Sequence, residues 1–463
     1  MTDSAWVANS TPLAAVHAAF RRWFGADYDI DALNAVLATV AVENMDGDPL
    51  WLLVISGPGN AKTETVQALA GAGATITSTI SSPGALLSAT SERERSKDAT
   101  GGLLRKLGDR GVLVIKDVTS ILSMNRDMRA ETLAAIREVY DGRWERNVGT
   151  DGGRTLEWTG RLAIIGAVTT VWDRARDVIA SMGDRFVLVR MDSTVGRQAA
   201  GRQAIGNTGQ EVEMRAELSA IVGDVVAGMR PEFVTVTEDE TAALLAAADL
   251  VTLARTGVEY DYQGNVVDAH APEMPTRFAK QLTQVVRGGV AIGMDRTDAL
   301  RLAIRCARDS MPPLRLAILD DLSRHPDSST ADVRKRIGKP RNTVDRQLQA
   351  LHMLGVLEVS EEDVVVAGKP VTRWYYRIGP DIDPAALDVT AVRSRFVSTH
   401  PLPPIEEGKT ALLPTDISGI GTPPGLDWER AWDCRHGMPS GDQPDDFLSG
   451  RLRCPQCRLE VAS

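Results

Sequence analysis

The sequence predicts an α/β fold in which a mostly parallel sheet with a helical lid precedes a winged helix-turn-helix and a small cysteine-bearing tail. Three observations carry this expectation. Continuous apolar runs of strand length alternate with helical periodicity through the first two hundred residues, the pattern of a parallel sheet covered on both faces. An Ala-rich helical stretch without long strand runs continues to about Met294. From Ala299 to Ile378, helical segments precede two β-like runs separated by a turn.

Taken in order, Leu13 to Val42 repeats apolar side chains at helical spacing, and Leu50 to Ile55, bounded by Pro49 and Gly57, reads as a buried strand. A glycine-rich turn leads into "KTETVQALAG", a helix. A short β-like run, Ala74 to Ile80, and a polar stretch, "SERERSKDATGG", precede a second buried strand, Gly111 to Asp117, which ends in an acid. Next come the helix "NRDMRAETLAAIREVY", a hairpin-like segment "GRWERNVGTDGGRTLEW" turning at Gly152-Gly153, and a third strand, "LAIIGAVTT". The expected organisation is an N-terminal helical segment (1–47), an α/β core (48–200), a helical lid (201–297), the winged helix-turn-helix (298–379), a Pro-rich linker (380–430) and the tail (431–463). No internal repeat is found.

The chain has 463 residues, 43% hydrophobic and 25% charged, and no apolar run approaches the roughly 20 residues that a bilayer requires. "MTDSAWVANS" lacks a basic flank followed by an apolar stretch, so the expectation is a cytoplasmic protein with no membrane partner. The net charge of −10 means that attraction to nucleic acid must be local.

The strand, loop and helix around "SGPGNAKTETV" form the context a phosphate loop requires, because a helix start presents unpaired N–H groups to an anion. The usual pattern is a glycine, four residues, then Gly-Lys-Ser/Thr; Ser56 and Ala61 depart from it. Gly57, Pro58, Gly59, Asn60 and Ala61 would wrap the phosphates of ATP, with Glu64 beside them. Lys62 would reach the β- and γ-phosphates and Thr63 would ligate Mg²⁺ through its hydroxyl. The methyl of Ala61 is expected to be tolerated provided its φ stays negative. Asp117 suits the water shell of Mg²⁺. Val118 follows it where ATPases of this type commonly carry a glutamate base, leaving Glu64 or the Glu92/Glu94 pair as candidate substitutes.

In this order of parts the chain resembles the AAA+ ATPases, specifically the branch that inserts a hairpin before the third motif, as the minichromosome-maintenance and superfamily III helicases and the sigma-54 activators do. The resemblance covers Asp48 to Met294. It implies that Thr169 senses the γ-phosphate and that Arg185, in "GDRF", is an arginine finger reaching a neighbouring subunit's ATP. It also implies that Arg277, in "MPTRFAKQL", is the lid arginine, and that the protein is a ring-type homo-oligomer. The inserted hairpin would point into the central channel, where Arg143 and Arg146 flank Trp144, a pairing suited to phosphates and base faces.

In "PRNTVDRQLQALHMLG", Val344, Leu348 and Leu351 share one helical face, which leaves Arg341, Asn342, Thr343, Arg346 and Gln347 outward, residue types suited to a major groove. Between Ser329 and Leu354, six Lys/Arg (334, 335, 336, 339, 341, 346) face two Asp (332, 345), so DNA is the expected partner, with a winged helix that binds only protein as the alternative. In the tail, Cys434, His436, Cys454 and Cys457 form a Cys3His set with the spacing of a Zn²⁺ site. Two functions fit: ATP-dependent work on DNA of the replicative helicase or loader kind, or an ATP-gated transcriptional regulator with little turnover.

Overall fold

The apolar run after Pro49 becomes β1 (Trp51–Ile55), every residue of which is buried. The computed structural model describes residues 11–90, 99–149, 152–175, 185–231, 234–366 and 369–392. The further strands of the first part are β2 (Thr75–Thr77), β3 (Arg110–Ile115), β4 (Arg143–Val148), β5 (Arg154–Thr159), β6 (Arg161–Val168) and β7 (Val187–Arg190). Five of them form a parallel sheet in the order β2-β3-β6-β1-β7, while β4 and β5 pair separately as an antiparallel hairpin. The β-like run from Ala74 shrinks to three residues at the sheet's edge.

Side chains alternate across the sheet with period two, so each strand feeds two cores. Leu52, Val54, Val114 and Ile165 enter the core built with the helices Pro12–Phe24, Ile30–Glu43 and Thr276–Ala291. Trp51, Leu53, Ile55, Leu113 and Ile164 enter the other, with the helix Arg126–Tyr140 and the β4–β5 hairpin. The helix Ile30–Glu43 is apolar nearly all round and buries all of its residues but the first two, as a helix must when it is sandwiched between a sheet and a second helix. Its contact with Thr276–Ala291 is close enough that a Cβ on Gly288 would lie 2.3 Å from the Ala38 carbonyl oxygen.

The lid carries a feature that the sequence reading did not anticipate. Between the helices Glu238–Arg255 and Thr276–Ala291 lies a short hairpin, β8 (Val258–Tyr260) and β9 (Val266–Ala269). Its strands are three and four residues long, too short for alternation to show against a helical background. The helix Arg296–Asp309, assigned by sequence to the C-terminal unit, buries Leu300, Ala303 and Ile304 and packs on the lid and on β7.

The C-terminal unit opens at Pro313 with three helices, Pro313–Arg324, Thr330–Ile337 and Arg341–Met353. A capping box between Ser329 and Asp332 starts the second, and Gly338, at φ +65°, ends it in the left-handed conformation that a residue without Cβ adopts freely. The strands β10 (Ser328–Ser329), β11 (Leu357–Val366) and β12 (Lys369–Ile378) complete it as an antiparallel sheet in the order β10-β12-β11. Among the described residues no helix is long and apolar enough to cross a membrane.

Candidate phosphate-binding site

The loop between β1 and the helix Lys62–Gln67 is anchored at both ends. Ser56 is buried and its backbone N–H donates to Val168 O at 3.3 Å, which ties the loop to β6. Asn60 donates to Asp192 O at 3.0 Å, while a Cβ on Gly57 would stand 3.1 Å from Ser193 Oγ, so the segment after β7 forms one wall. Gly59 has φ +78° and open space where a Cβ would be. Lys62 curls back over the loop, its ammonium donating to Gly57 O at 3.1 Å. Burial lowers the pKa of that ammonium, and the Asp117 carboxylate acts in the opposite direction.

One expectation is overturned here. Ala61 has φ +52°, in the left-handed region, not the negative φ that its methyl was expected to need. The loop imposes the backbone that the usual glycine would adopt, and alanine carries the strain. Ala61→Gly should therefore raise stability by about 0.5–1 kcal/mol. Denaturant titration checks this; a lower midpoint would mean that the methyl is needed for packing.

Thr63 is exposed at the helix start. Thr65 donates to Ala61 O and meets Tyr28 Oη at 2.7 Å, a contact the sequence did not signal; burial pushes the Tyr28 phenol well above its ordinary pKa. Glu64 does not face the loop as a base: Arg215 holds its carboxylate through both Nε (2.9 Å) and Nη2 (2.6 Å). Glu92 and Glu94 lie outside the described residues.

Asp117 and Thr169 reach the same edge of the sheet from the ends of β3 and β6. Asp117 is exposed, and its Oδ1 accepts from the Thr119 N–H at 3.0 Å. Thr119 Oγ1 lies 3.5 Å from Thr169 Oγ1. Val118, where a glutamate was sought, is turned inward at 6% exposure, its N–H on Ala167 O. The absence of a Cβ on Gly166 makes room for it: one there would come within 2.7 Å of Val118 Cγ2. The side chain that meets Thr169 is that of Thr119, which the sequence reading missed although it stands only two places after the acid.

Arg277 does not join this group. It opens the lid helix Thr276–Ala291, and its charge acts on Arg185 and Tyr140. Arg185 precedes β7, is 12% exposed, lies over the Tyr140 ring at 5.5 Å and pairs with Asp141 at 3.1 Å. Burial lowers its pKa, with Asp141 opposing. Phe186, the next residue, packs on Trp51, the first residue of β1. Both arginines therefore sit at the edge where the strands begin, while Lys62, Asp117 and Thr169 sit where they end, roughly 16 Å away along a five-residue strand. Neither belongs to the group at the loop between β1 and the helix Lys62–Gln67.

The hairpin arginines are also differently placed from expectation. Trp144 is 8% exposed and stands directly across from Trp158 in the β4–β5 register, so its ring belongs to the core and offers no face to a base. Arg143 is exposed but pairs with Glu145 and, at 3.2 Å, with Glu157. Arg146 donates to Leu87 O at 2.9 Å. In the C-terminal unit, Arg341, Asn342 and Thr343 are exposed along the first turn of their helix, with Val344, Leu348 and Leu351 buried as the spacing required. Arg346 and Gln347 are partly engaged: Arg346 donates to Gln263 O at 3.0 Å, and Gln347 to Tyr260 Oη at 3.4 Å.

Cys434, His436, Cys454 and Cys457 lie outside the described residues. Among the described residues, no three His, Cys, Asp or Glu side chains gather closely enough to hold a metal ion. No protein-family model matches the chain, and no curated protein does. Among solved structures the chain is similar to the A-form apo structure of the NrS-1 C-terminal region, at 13% identity and a TM-score of 0.24, with 79% of this chain and 75% of that one covered. It is likewise similar to the A-form apo structure of that region described as CTR(305-718), at 12% identity and a TM-score of 0.22, with 79% and 74% covered. Likeness at this level carries no argument, and the fold stands as the molecule itself shows it: a mixed α/β protein built on a five-stranded parallel sheet.

Proposed function

We propose that the chain is an AAA+-type ATPase that binds ATP with Mg²⁺ and acts on DNA in a ring of identical subunits, in the manner of a replicative helicase or helicase loader. The observation that carries this reading is the convergence of Lys62, Asp117 and Thr169 on one edge of the sheet, from the ends of three neighbouring strands. The open space over Gly59 and the backbone conformation at Ala61 fit a loop that wraps phosphates. Bound ATP would supply a phosphoanhydride bond and Mg²⁺ a compensating charge. Lys62 would neutralise the phosphates, Thr63 and Asp117 would hold the metal and its water, and Thr169, braced by Thr119, would orient the terminal phosphate. Arg185 and Arg277, at the far edge, would serve a neighbour's site, Arg185 as its arginine finger. The unit from Pro313 to Ile378 is a winged helix whose helix Arg341–Met353 would enter duplex DNA.

A second reading, an ATP-gated DNA-binding regulator with little turnover, is favoured by the inward position of Val118 and the engagement of Glu64 by Arg215. Nucleotide binding and ATP hydrolysis, with and without single- and double-stranded DNA, test both. Lys62→Ala should reduce binding or turnover at least tenfold, about 1.4 kcal/mol. Unchanged nucleotide binding by that variant would remove the phosphate-loop reading, and steady DNA-stimulated turnover would remove the regulator.

A further inference from the structure

The turn between β8 and β9 is seated on the outward face of the helix Arg341–Met353. Arg346 Nη2 donates to Gln263 O at 3.0 Å, and a Cβ on Gly264, at φ +81°, would stand 2.3 Å from the same nitrogen. Gln347 donates to Tyr260 Oη at 3.4 Å, and its side-chain oxygen accepts from Arg315 Nε at 2.9 Å. Arg315 in turn donates to Ala254 O and Thr256 O, both at 2.7 Å, at the end of the lid helix Glu238–Arg255. The lid thus engages Arg346 and Gln347, while Arg341, Asn342 and Thr343 in the first turn of the same helix stay exposed.

The hairpin brings negative charge to this place. From Thr256 to Thr276 the chain carries Glu259, Asp261, Asp268 and Glu273 and neither Lys nor Arg. Glu273 is paired with Arg255 at 2.8 Å. Glu259 and Asp268 are exposed and stand directly across from each other in the ladder. The preceding pair, Val258 and Ala269, packs on the core, so alternation turns both carboxylates away from it. Like charges at opposed positions destabilise a strand pair, and His270 Nε2, 3.7 Å from Glu259, offsets this only when protonated. Asp261 accepts from Asn265 Nδ2 at 2.9 Å and from the Asn265 and Gln263 N–H groups, both at 2.8 Å. These bonds, those of Asn265 first, hold its carboxyl below the usual range and keep it ionised. Three unneutralised carboxylates therefore stand on the element that engages Arg346 and Gln347. A duplex approaching this helix meets two of its contact residues already bonded, beside charge of the duplex's own sign.

We infer that the lid hairpin is an autoinhibitory cover on the helix Arg341–Met353, and that duplex DNA makes its full contact with this helix only when the hairpin withdraws from Arg346 and Gln347. The inference rests on the DNA-binding reading above. The hairpin joins the lid helices Glu238–Arg255 and Thr276–Ala291, so a shift of the lid against the C-terminal unit is the motion that lifts it. The affinity observed is then the intrinsic one reduced by the fraction of molecules that are uncovered.

Binding of the full-length protein to a mixed-sequence duplex, followed by fluorescence anisotropy over a range of salt concentrations, tests it. Glu259→Gln combined with Asp268→Asn keeps the hairpin's shape and removes two charges. It should tighten binding about threefold or more at low salt, the gain shrinking as salt screens the repulsion. Gly264→Ala places a methyl where Arg346 Nη2 now lies, which should push the turn off the helix. It should tighten binding by a similar factor that persists at high salt, because no charge changes. A charge variant that binds like the wild type, or more weakly, would overturn the inference. So would a Gly264→Ala protein of wild-type melting temperature that binds no tighter, since the hairpin would then be fixed packing of the lid. Arg341→Ala, added to the charge variant, separates this from the broader reading: it should weaken binding and lower the salt slope by about one unit. If it does so while the charge variant binds no tighter than the wild type, only the cover fails. If it changes nothing, or if neither the wild type nor the hairpin variants bind duplex, the helix does not read DNA and the inference falls with that reading.

Discussion

Val118→Glu should cost about 3–5 kcal/mol of stability without raising the rate of ATP hydrolysis. The expectation contradicts the obvious repair, which would place a glutamate after Asp117 where the sequence lacks one. Val118 is 6% exposed and packs into the core over Gly166 between β6 and the turn that follows β3. A carboxylate there would be buried in the apolar cluster that holds Leu53, Ile115 and Ile121. It would be protonated, or the turn would be displaced, and either outcome would disturb Thr119 and Thr169 beside it. The denaturation midpoint and ATPase rate, measured together, decide the matter. A variant as stable as the wild type and faster at hydrolysis would show that the side chain reaches the loop edge.

Trp144→Ala should destabilise the protein by about 3–5 kcal/mol, the cost of emptying a large aromatic site. Trp144 closes the base of the β4–β5 hairpin onto the sheet together with Trp158, whose indole N–H donates to Gly108 O at 2.7 Å. Trp144→Phe should retain most of the stability and leave binding to single-stranded DNA unchanged. Should Trp144→Phe instead bind single strands less well at full stability, the ring would be a base-stacking group and its burial in the free chain would open on binding. On the proposed DNA-binding reading, Arg143 and Arg146 would carry any contact that the hairpin makes. Each gives up acid or carbonyl partners to do so, which limits the gain per arginine.

The fold's main elements were legible because their signals are local. Five consecutive apolar residues before a glycine-rich turn leave few alternatives to a buried strand, and the spacing of Val344, Leu348 and Leu351 assigns the buried face of their helix without reference to anything else. The same holds for the chain order of Lys62, Asp117 and Thr169, each at or just past the end of an apolar run. The β8–β9 hairpin was missed for the complementary reason: strands of three and four residues carry too few alternations to compete with helical periodicity on either side. That the helix Arg296–Asp309 packs on the lid helices and on β7 was not legible, because an amphipathic helix records that it has a buried face, not what covers it.

What the sequence determined by itself is therefore the identity and order of the elements and which faces of them are apolar, since both follow from side-chain chemistry over a few residues. Tertiary structure decided which chemistry-bearing residues meet. Parallel strands bring Lys62, Asp117 and Thr169 to one edge and leave Arg185 and Arg277 at the other, a division set by strand direction and not by spacing along the chain. It also decided the backbone at Ala61, the inward turn of Val118 and the burial of Trp144. In each of these the residue's own preference is weak, and close packing against distant segments, Ser193 and Asp192, Gly166, and Trp158, supplies the few kcal/mol that fix the outcome.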